Sequence, residues 1–390
     1  MRVLLISRCP PYPLHLGDRL IVWHLTEELA RRGVQFDLLA LAQRSQDHAE
    51  ANAYRHLFEH VTLFDEAPRP LPTLLRRALW PAARFPQRSE QAWNPALWRT
   101  VQQFAQRPYD AIHLFGGVQV YECAAALGQR AAQAVITPYE SYSLYSERVL
   151  AQDGGLVAAL RLDMARRYES FMFAPYGPVV VLTEADALAL RRLNPSLDVR
   201  VIPNGIDLAY FQPGSAARQP AELLFLGNYE YAPNVDAALF LIEEVLPRVR
   251  AAFPQVVLKL VGHAPPPTLL ARQSEVVRVL GRVDDVRPHY AQATAFVAPL
   301  RLGAGMKNKI LEALAMQTPV VTTPIGADGI ALQHGEHALI ASAESIAEQV
   351  TVLLRDPALG QRLGRAGRAL IEARYSWGAV AEAYLKLYTE

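Results

Sequence analysis

Continuous apolar runs of strand length recur along this chain with helical segments between them, and the pattern breaks off once and restarts. Residues 2–7, 35–41, 109–113, 134–138, 179–182 and 199–202 are such runs in the first half. Residues 222–227, 256–262, 276–283, 296–299 and 319–324 are their counterparts in the second. Runs of this kind predict strands buried on both faces of a parallel sheet, joined by crossover helices. The break is the turn Pro203-Asn204-Gly205-Ile206-Asp207 and the segment to Pro220, which reads as a linker. The fold class is therefore α/β, with two domains, 1–205 and 206–375, as a length of 390 residues allows. Parallel sheets take ligands at their carboxyl edges, so a cleft between two such domains is the expected site.

A net charge of +1 argues against a nucleic-acid partner. Cys9 and Cys123 have no metal-ligand spacing and no partner pattern, which fits a reducing, cytoplasmic setting. The first apolar run stops at strand length before Pro10, Pro11 and Pro13, too soon for a signal peptide, and no run reaches the roughly 18 residues of a membrane span.

The polar chemistry concentrates in residues 296–330. A strand leads into the loop Arg301-Leu302-Gly303-Ala304-Gly305, then a helix from Lys307 to Met316, then another strand. Gly303 and Gly305 let backbone approach a ligand. The helix start offers unpaired N–H groups suited to phosphate, with Arg301, Lys307 and Lys309 adding charge. Glu312, three residues after Lys309, shares its face. A cation for phosphate beside a carboxylate for hydroxyls suits a nucleotide sugar; a solvated basic helix start is the plainer alternative.

Gly17 stands just before a helix expected over 20–32, but no GxGxxG follows the first strand, which disfavours a dinucleotide-binding dehydrogenase. His113 ends a strand and reads as a satisfied histidine or an acceptor contact. Glu140 and Tyr142 follow the next strand, as an acceptor-facing wall or as cap and packing. Asn228 and Asn234 lie in a strand-to-helix loop, with Asn234 the expected N-cap. Asp284 and Asp285 read as a cap rather than a metal pair. Residues 69–88 carry Arg69, Arg76, Arg77, Arg84 and Arg88 with an apolar side and no acid. They suit an anionic membrane surface, a loop over an acceptor, or a solvated hairpin.

PNGID at 203–207, the glycine loop after Phe225, VLGRVDDVRP at 279–288 and LEALAMQTPVV at 311–321 stand in the order of a known family. The chain resembles the retaining GT-B glycosyltransferases of family 4 along its whole length, and within them a bacterial subgroup associated with exopolysaccharide and protein sorting. The resemblance implies two Rossmann-like domains facing a cleft, with the final helix, 376–390, crossing back to the N-terminal domain. It implies a nucleotide-diphosphate-sugar donor and a sugar acceptor, with no cofactor and no metal, in a cytoplasmic enzyme; a lipid-linked or polysaccharide acceptor and peripheral membrane contact fit residues 69–88. Glu312 would hold the ribose, Lys309 and Arg301 the diphosphate as catalytic cations, backbone at Arg282 and Val283 the base, and Gly17 the phosphates. Three positions depart from the pattern. Ala304 replaces a second glutamate, Asn228 and Asn234 occupy the loop where the family carries Arg and Lys, and Phe115 replaces the second histidine of His-x-His. Lys307 and Lys309 are the expected substitutes for the missing cations. A GT-B nucleotide-sugar epimerase and an inactive nucleotide-binding subunit are the rival readings; a solute-binding protein is a poorer third.

Overall fold

The computed structural model describes residues 1–14, 17–214 and 218–390, so part of the expected linker lies outside the described residues. The chain divides into two compact units, residues 1–203 with 377–390, and residues 204–376.

The N-terminal unit is built on seven parallel strands in the order β3-β2-β1-β4-β5-β6-β7. These are β1 (Arg2–Ser7), β2 (Gln35–Ala42), β3 (His60–Asp65), β4 (Ala111–Phe115), β5 (Val135–Thr137), β6 (Val179–Val181) and β7 (Val199–Val201). The central strand β1 pairs in register with β2 from Arg2↔Gln35 and with β4 from Val3↔Ala111. Val3 to Ile6 are shut off from solvent, which is why this strand reads as an unbroken apolar run. The edge strand β3 is half-exposed, and its mixed sequence HVTLFD gave no such signal. One face of the sheet is covered by the first helix, Gly17–Arg31, and by the last, Trp377–Thr389. Trp377, Val380, Ala381, Tyr384, Leu387 and Tyr388 of the last helix share a core with Val3, Leu5, Ile21 and Leu25.

The C-terminal unit holds six parallel strands in the order β10-β9-β8-β11-β12-β13. They are β8 (Glu222–Leu226), β9 (Val257–Val261), β10 (Val277–Gly281), β11 (Ala295–Ala298), β12 (Val320–Thr322) and β13 (Leu339–Ile340). Strands β8 and β11 are adjacent and run apart in chain order on either side, which makes their carboxyl ends the switch point of this sheet. The glycine loop leaves β11 there and enters the helix Asn308–Ala315.

Candidate functional site

Three glycines bind the carboxyl ends of β8, β9 and β10 into one layer. Gly227 N–H donates to Val261 O at 3.0 Å, and Gly262 N–H to Gly281 O at 2.8 Å. A Cβ on Gly262 would fall 1.7 Å from Gly227 O, so no other residue fits there. The loop after β8 then turns into the helix Ala232–Phe240, with Tyr231 at the N-cap position. Asn234, expected as the N-cap, lies instead inside the first turn. Its side-chain NH₂ reaches back to Asn228 O at 2.7 Å, and its Oδ1 accepts from Lys309 Nζ. Proline at 233 fits the first turn of that helix, where its missing N–H costs nothing, and this moves the cap back to Tyr231.

Lys309 is half-buried in the first turn of the helix Asn308–Ala315. Its ammonium lies 4.6 Å from the centre of the Phe225 ring at the end of β8. Burial lowers its pKa to about 7, the nearby Lys307 adds to this, and Glu312 opposes it. Glu312 Oε2 accepts from Tyr290 Oη at 2.9 Å, and the same hydroxyl lies 3.1 Å from Lys309 O. Burial raises the Glu312 carboxyl above its ordinary range, against the pull of Tyr290 and Lys309. The helix thus brings a weakly solvated cation and a hydroxyl-anchored carboxylate together on one face, as the spacing predicts.

The other cations are placed differently from expectation. Lys307 is buried, and its ammonium donates to Ala304 O at 2.6 Å and to Gly305 O. It holds the shape of the glycine loop, where Gly303 and Gly305 take φ of 116° and 67°. Arg301 closes a two-pronged ion pair with Asp236, with Nε–Oδ2 at 3.1 Å, and lies over the Phe240 ring. The sequence expects this residue as a cation on the diphosphate, and the structure places it against Asp236. Ala304 is buried in the loop. Arg282 is exposed at the end of β10 and Val283 is half-buried beside it, joined to the Asn228 loop through the glycine layer. Asp285 receives the Arg287 N–H and its guanidinium, as a cap would; the guanidinium also lies over Tyr210.

In the N-terminal unit, Gly17 is the first residue of its helix rather than a residue of the preceding loop, and it is exposed. His113 is fully buried. One ring nitrogen meets Tyr388 Oη at 2.7 Å and the other Thr137 Oγ1 at 2.8 Å. Burial drives its pKa down to about 3, so the ring is neutral. This corrects its expected acceptor contact: the histidine ties the last helix to β4 and β5. Phe115 packs on His113 and Tyr139 in the same core. Tyr142 is exposed and stacked on Tyr145, while Glu140 is half-buried just before it. Sequence reasoning missed Glu169. Its buried carboxylate accepts from Ser141 Oγ at 2.9 Å and Ser143 N at 3.1 Å, as well as from Tyr142 N, and so fixes the helix Tyr142–Asp153. It missed Tyr290 and Asp236 as well, because a tyrosine on an apolar helix face and a lone aspartate carry no spacing signal.

Residues 220–356 match the family model described as glycosyl transferases group 1, and residues 20–210 match the one described as glycosyltransferase family 4. A phosphatidyl-myo-inositol mannosyltransferase of Mycobacterium tuberculosis is 32% identical over 209 residues, covering 49% of this chain and 54% of that protein. The chain thus spans about half the length of the curated relatives it matches. Among solved structures, a sucrose-phosphate synthase from Thermosynechococcus elongatus superposes with a TM-score of 0.76 at 20% identity, covering 99% of this chain and 98% of the other. HepE from Anabaena, solved with UDP and glucose, gives 0.68 at 15% identity over 98% of both chains. Both have this two-domain GT-B fold.

Proposed function

We propose that this chain, whose residues 20–210 and 220–356 match glycosyltransferase family models, is a family 4 glycosyltransferase of GT-B fold that moves a sugar from a nucleotide-diphosphate sugar to an acceptor, with the donor held by the C-terminal unit. The observation that carries this is the pairing of Lys309 and Glu312 at the start of the helix that follows the glycine loop. Lys309 and the free N–H groups of that helix take the diphosphate, and Glu312, braced by Tyr290, takes the ribose hydroxyls. Backbone near Arg282 and Val283 takes the base. As the glycosidic bond breaks, charge builds on the leaving diphosphate, and Lys309 stabilises it. The acceptor hydroxyl attacks from the face the diphosphate leaves, and a diphosphate oxygen takes its proton. This retaining course needs neither a protein nucleophile nor a metal. The acceptor is a sugar, free, lipid-linked or on a growing polysaccharide, and the reaction is placed on the cytoplasmic side.

HepE was solved with UDP, so uridine nucleotides lead the donors to test. In a thermal-shift panel of nucleoside diphosphates and their sugars, with and without Mg²⁺, one nucleotide is expected to raise the melting temperature at saturating concentration. A ligand at 100 times its Kd adds about 2.7 kcal/mol. Glu312→Ala is expected to lose most of that rise. No shift with any nucleotide sinks the proposal.

The N-terminal unit also supports contact with an anionic membrane. The helix Leu71–Leu79 exposes Leu71, Leu75 and Leu79 along one stripe, continued by Trp80, beside the exposed Arg69 and Arg76. Arg77 does not take part. It is buried against Glu122 and lies 3.6 Å from the Trp93 ring centre, and Arg84 lies over Phe171. No helix among the described residues is long and apolar enough to cross a membrane, so the contact is peripheral. Leu75→Glu with Trp80→Glu is expected to weaken binding to phosphatidylserine vesicles tenfold or more, about 1.4 kcal/mol. Unchanged flotation overturns this part.

A further inference from the structure

A polar cavity of about 160 Å³ opens at the carboxyl edge of the N-terminal sheet, lined by Arg8, Gln43, Glu66, Arg69, Gly117 and Gln119 among others. One water needs about 10–15 Å³ of such space, so this cavity admits a larger polar molecule. Arg8 follows β1, Gln43 and Glu66 follow β2 and β3, and Gly117 follows β4, so four strand ends converge on it.

Both walls of the cavity are built. Gly116 and Gly117 take φ of 65° and 84°, and a Cβ on either would strike the Arg8 side chain, at 2.5 Å from Cδ and 2.8 Å from Cβ. The glycine pair thus makes the channel in which Arg8 lies. On the far wall, Gln119 is buried and grips one residue with both ends of its amide. Its Nε2 donates to Ala67 O at 2.6 Å, and its Oε1 accepts from Ala67 N at 3.3 Å. That fixes the turn carrying Glu66 and Arg69.

The two guanidiniums are held differently from those of Arg19 and Arg301. Arg19 and Arg301 close two-pronged hydrogen-bonded pairs with carboxylates. Arg8 only approaches Asp18, at 3.4 Å, and Arg69 only approaches Glu66, at 3.7 Å. Neither makes a side-chain hydrogen bond among the described residues, although each carries five donors in a fork matched to carboxylate and phosphate. We propose that this cavity is an acceptor subsite for a hydroxylated acceptor bearing an anionic group, phosphate or carboxylate, with Arg8 and Arg69 on the anion and Gln43 and Glu66 on hydroxyls. The assignment rests on the glycosyl-transfer reading for the word acceptor; the binding itself does not.

The test is equilibrium binding to the full chain without donor, by calorimetry or saturation-transfer NMR, so that failure of the nucleotide panel leaves it readable. The probes are glucose, glucose 6-phosphate, glucuronate, inorganic phosphate and glycerophosphoinositol, the last standing for a lipid headgroup. At least one hydroxylated anion is expected to bind tenfold or more tightly than glucose; a preference for the last probe identifies a lipid acceptor, and for the others a soluble or polymeric one. Arg69→Gln, at an exposed site, is expected to remove most of the margin without moving the melting temperature, and Arg8→Gln the rest. Equal binding of glucose and the charged probes overturns the proposal. So does a margin that survives both substitutions, or phosphate alone binding as tightly as any of its esters.

Discussion

Lys309→Ala is expected to lower kcat by on the order of 100-fold or more while the protein stays folded. Removing one preorganised donor from a developing anion costs about 10²–10³ in rate. With Arg301 tied to Asp236 and Lys307 to the loop carbonyls, no other cation of this loop is placed to substitute. Stability should change little. The ammonium is poorly solvated, so its removal relieves a burial cost that offsets the lost Asn234 bond, the Phe225 contact and the attraction to Glu312. Its pKa near 7 adds a sign that can be checked. A bound diphosphate favours the charged form and raises that pKa, so donor binding takes up a proton above pH 7. Affinity should be greatest below about pH 7 and fall as pH rises through it, by up to tenfold per unit, until the pKa of the complex is reached. In Lys309→Ala that dependence should flatten. Single-turnover rates and nucleotide Kd values from pH 6 to 9, beside melting curves, measure all three effects. Turnover at the wild-type rate in this variant would sink the assignment.

The central strands were legible because burial on both faces writes itself as unbroken apolar sequence, as in residues 2–7 and 296–299. Strands β3 and β13 were not, since β3 is half-exposed along its length and β13 is only two residues long. Within the site, the helical spacing of Lys309 and Glu312 and the glycines before them were readable, because backbone geometry alone relates them. Their partners were not. Tyr290 and Asn234 reach the helix from distant parts of the chain, and only tertiary packing brings them there. The same limit explains the misplaced charges. A run of arginines at 69–88 reads as one basic surface, yet Glu122 draws Arg77 inward across 45 residues of sequence. Arg8, the residue on which the acceptor proposal turns, carried no sequence signal at all. Its role depends on two glycines at the end of another strand.

Asp47→Ala is expected to destabilise the N-terminal unit by about 3–5 kcal/mol, the cost of breaking a buried ion pair from one side. Asp47 is fully buried and accepts four hydrogen bonds, from Arg19 Nη1 at 2.7 Å and Nη2 at 2.9 Å, and from the backbone of Gln43 at 2.9 Å and Arg44 at 3.0 Å. Alanine would leave the guanidinium of Arg19, itself 1% exposed, with no hydrogen-bonded counter-charge. Burial alone would raise the Asp47 carboxyl, but Arg19 and the two backbone donors outweigh it and hold the pKa below the usual range. A depressed carboxylate contributes stability above its unfolded pKa of about 3.9 and loses it as pH falls below that, so acid should erode the wild type there and spare the variant. Near neutrality a loss of this size is a large share of the 5–15 kcal/mol that keeps a domain folded, and it should appear as a drop on the order of 10 °C in the first calorimetric transition. The paired substitution Arg19→Met with Asp47→Leu separates charge from shape. It removes both ions and should recover most of the stability. It also removes the donor that holds Tyr12 O, in the loop after β1. A double variant that regains its melting temperature but not its rate would show that the ion pair serves to place that loop. Recovery of both would leave it a stabilising feature alone.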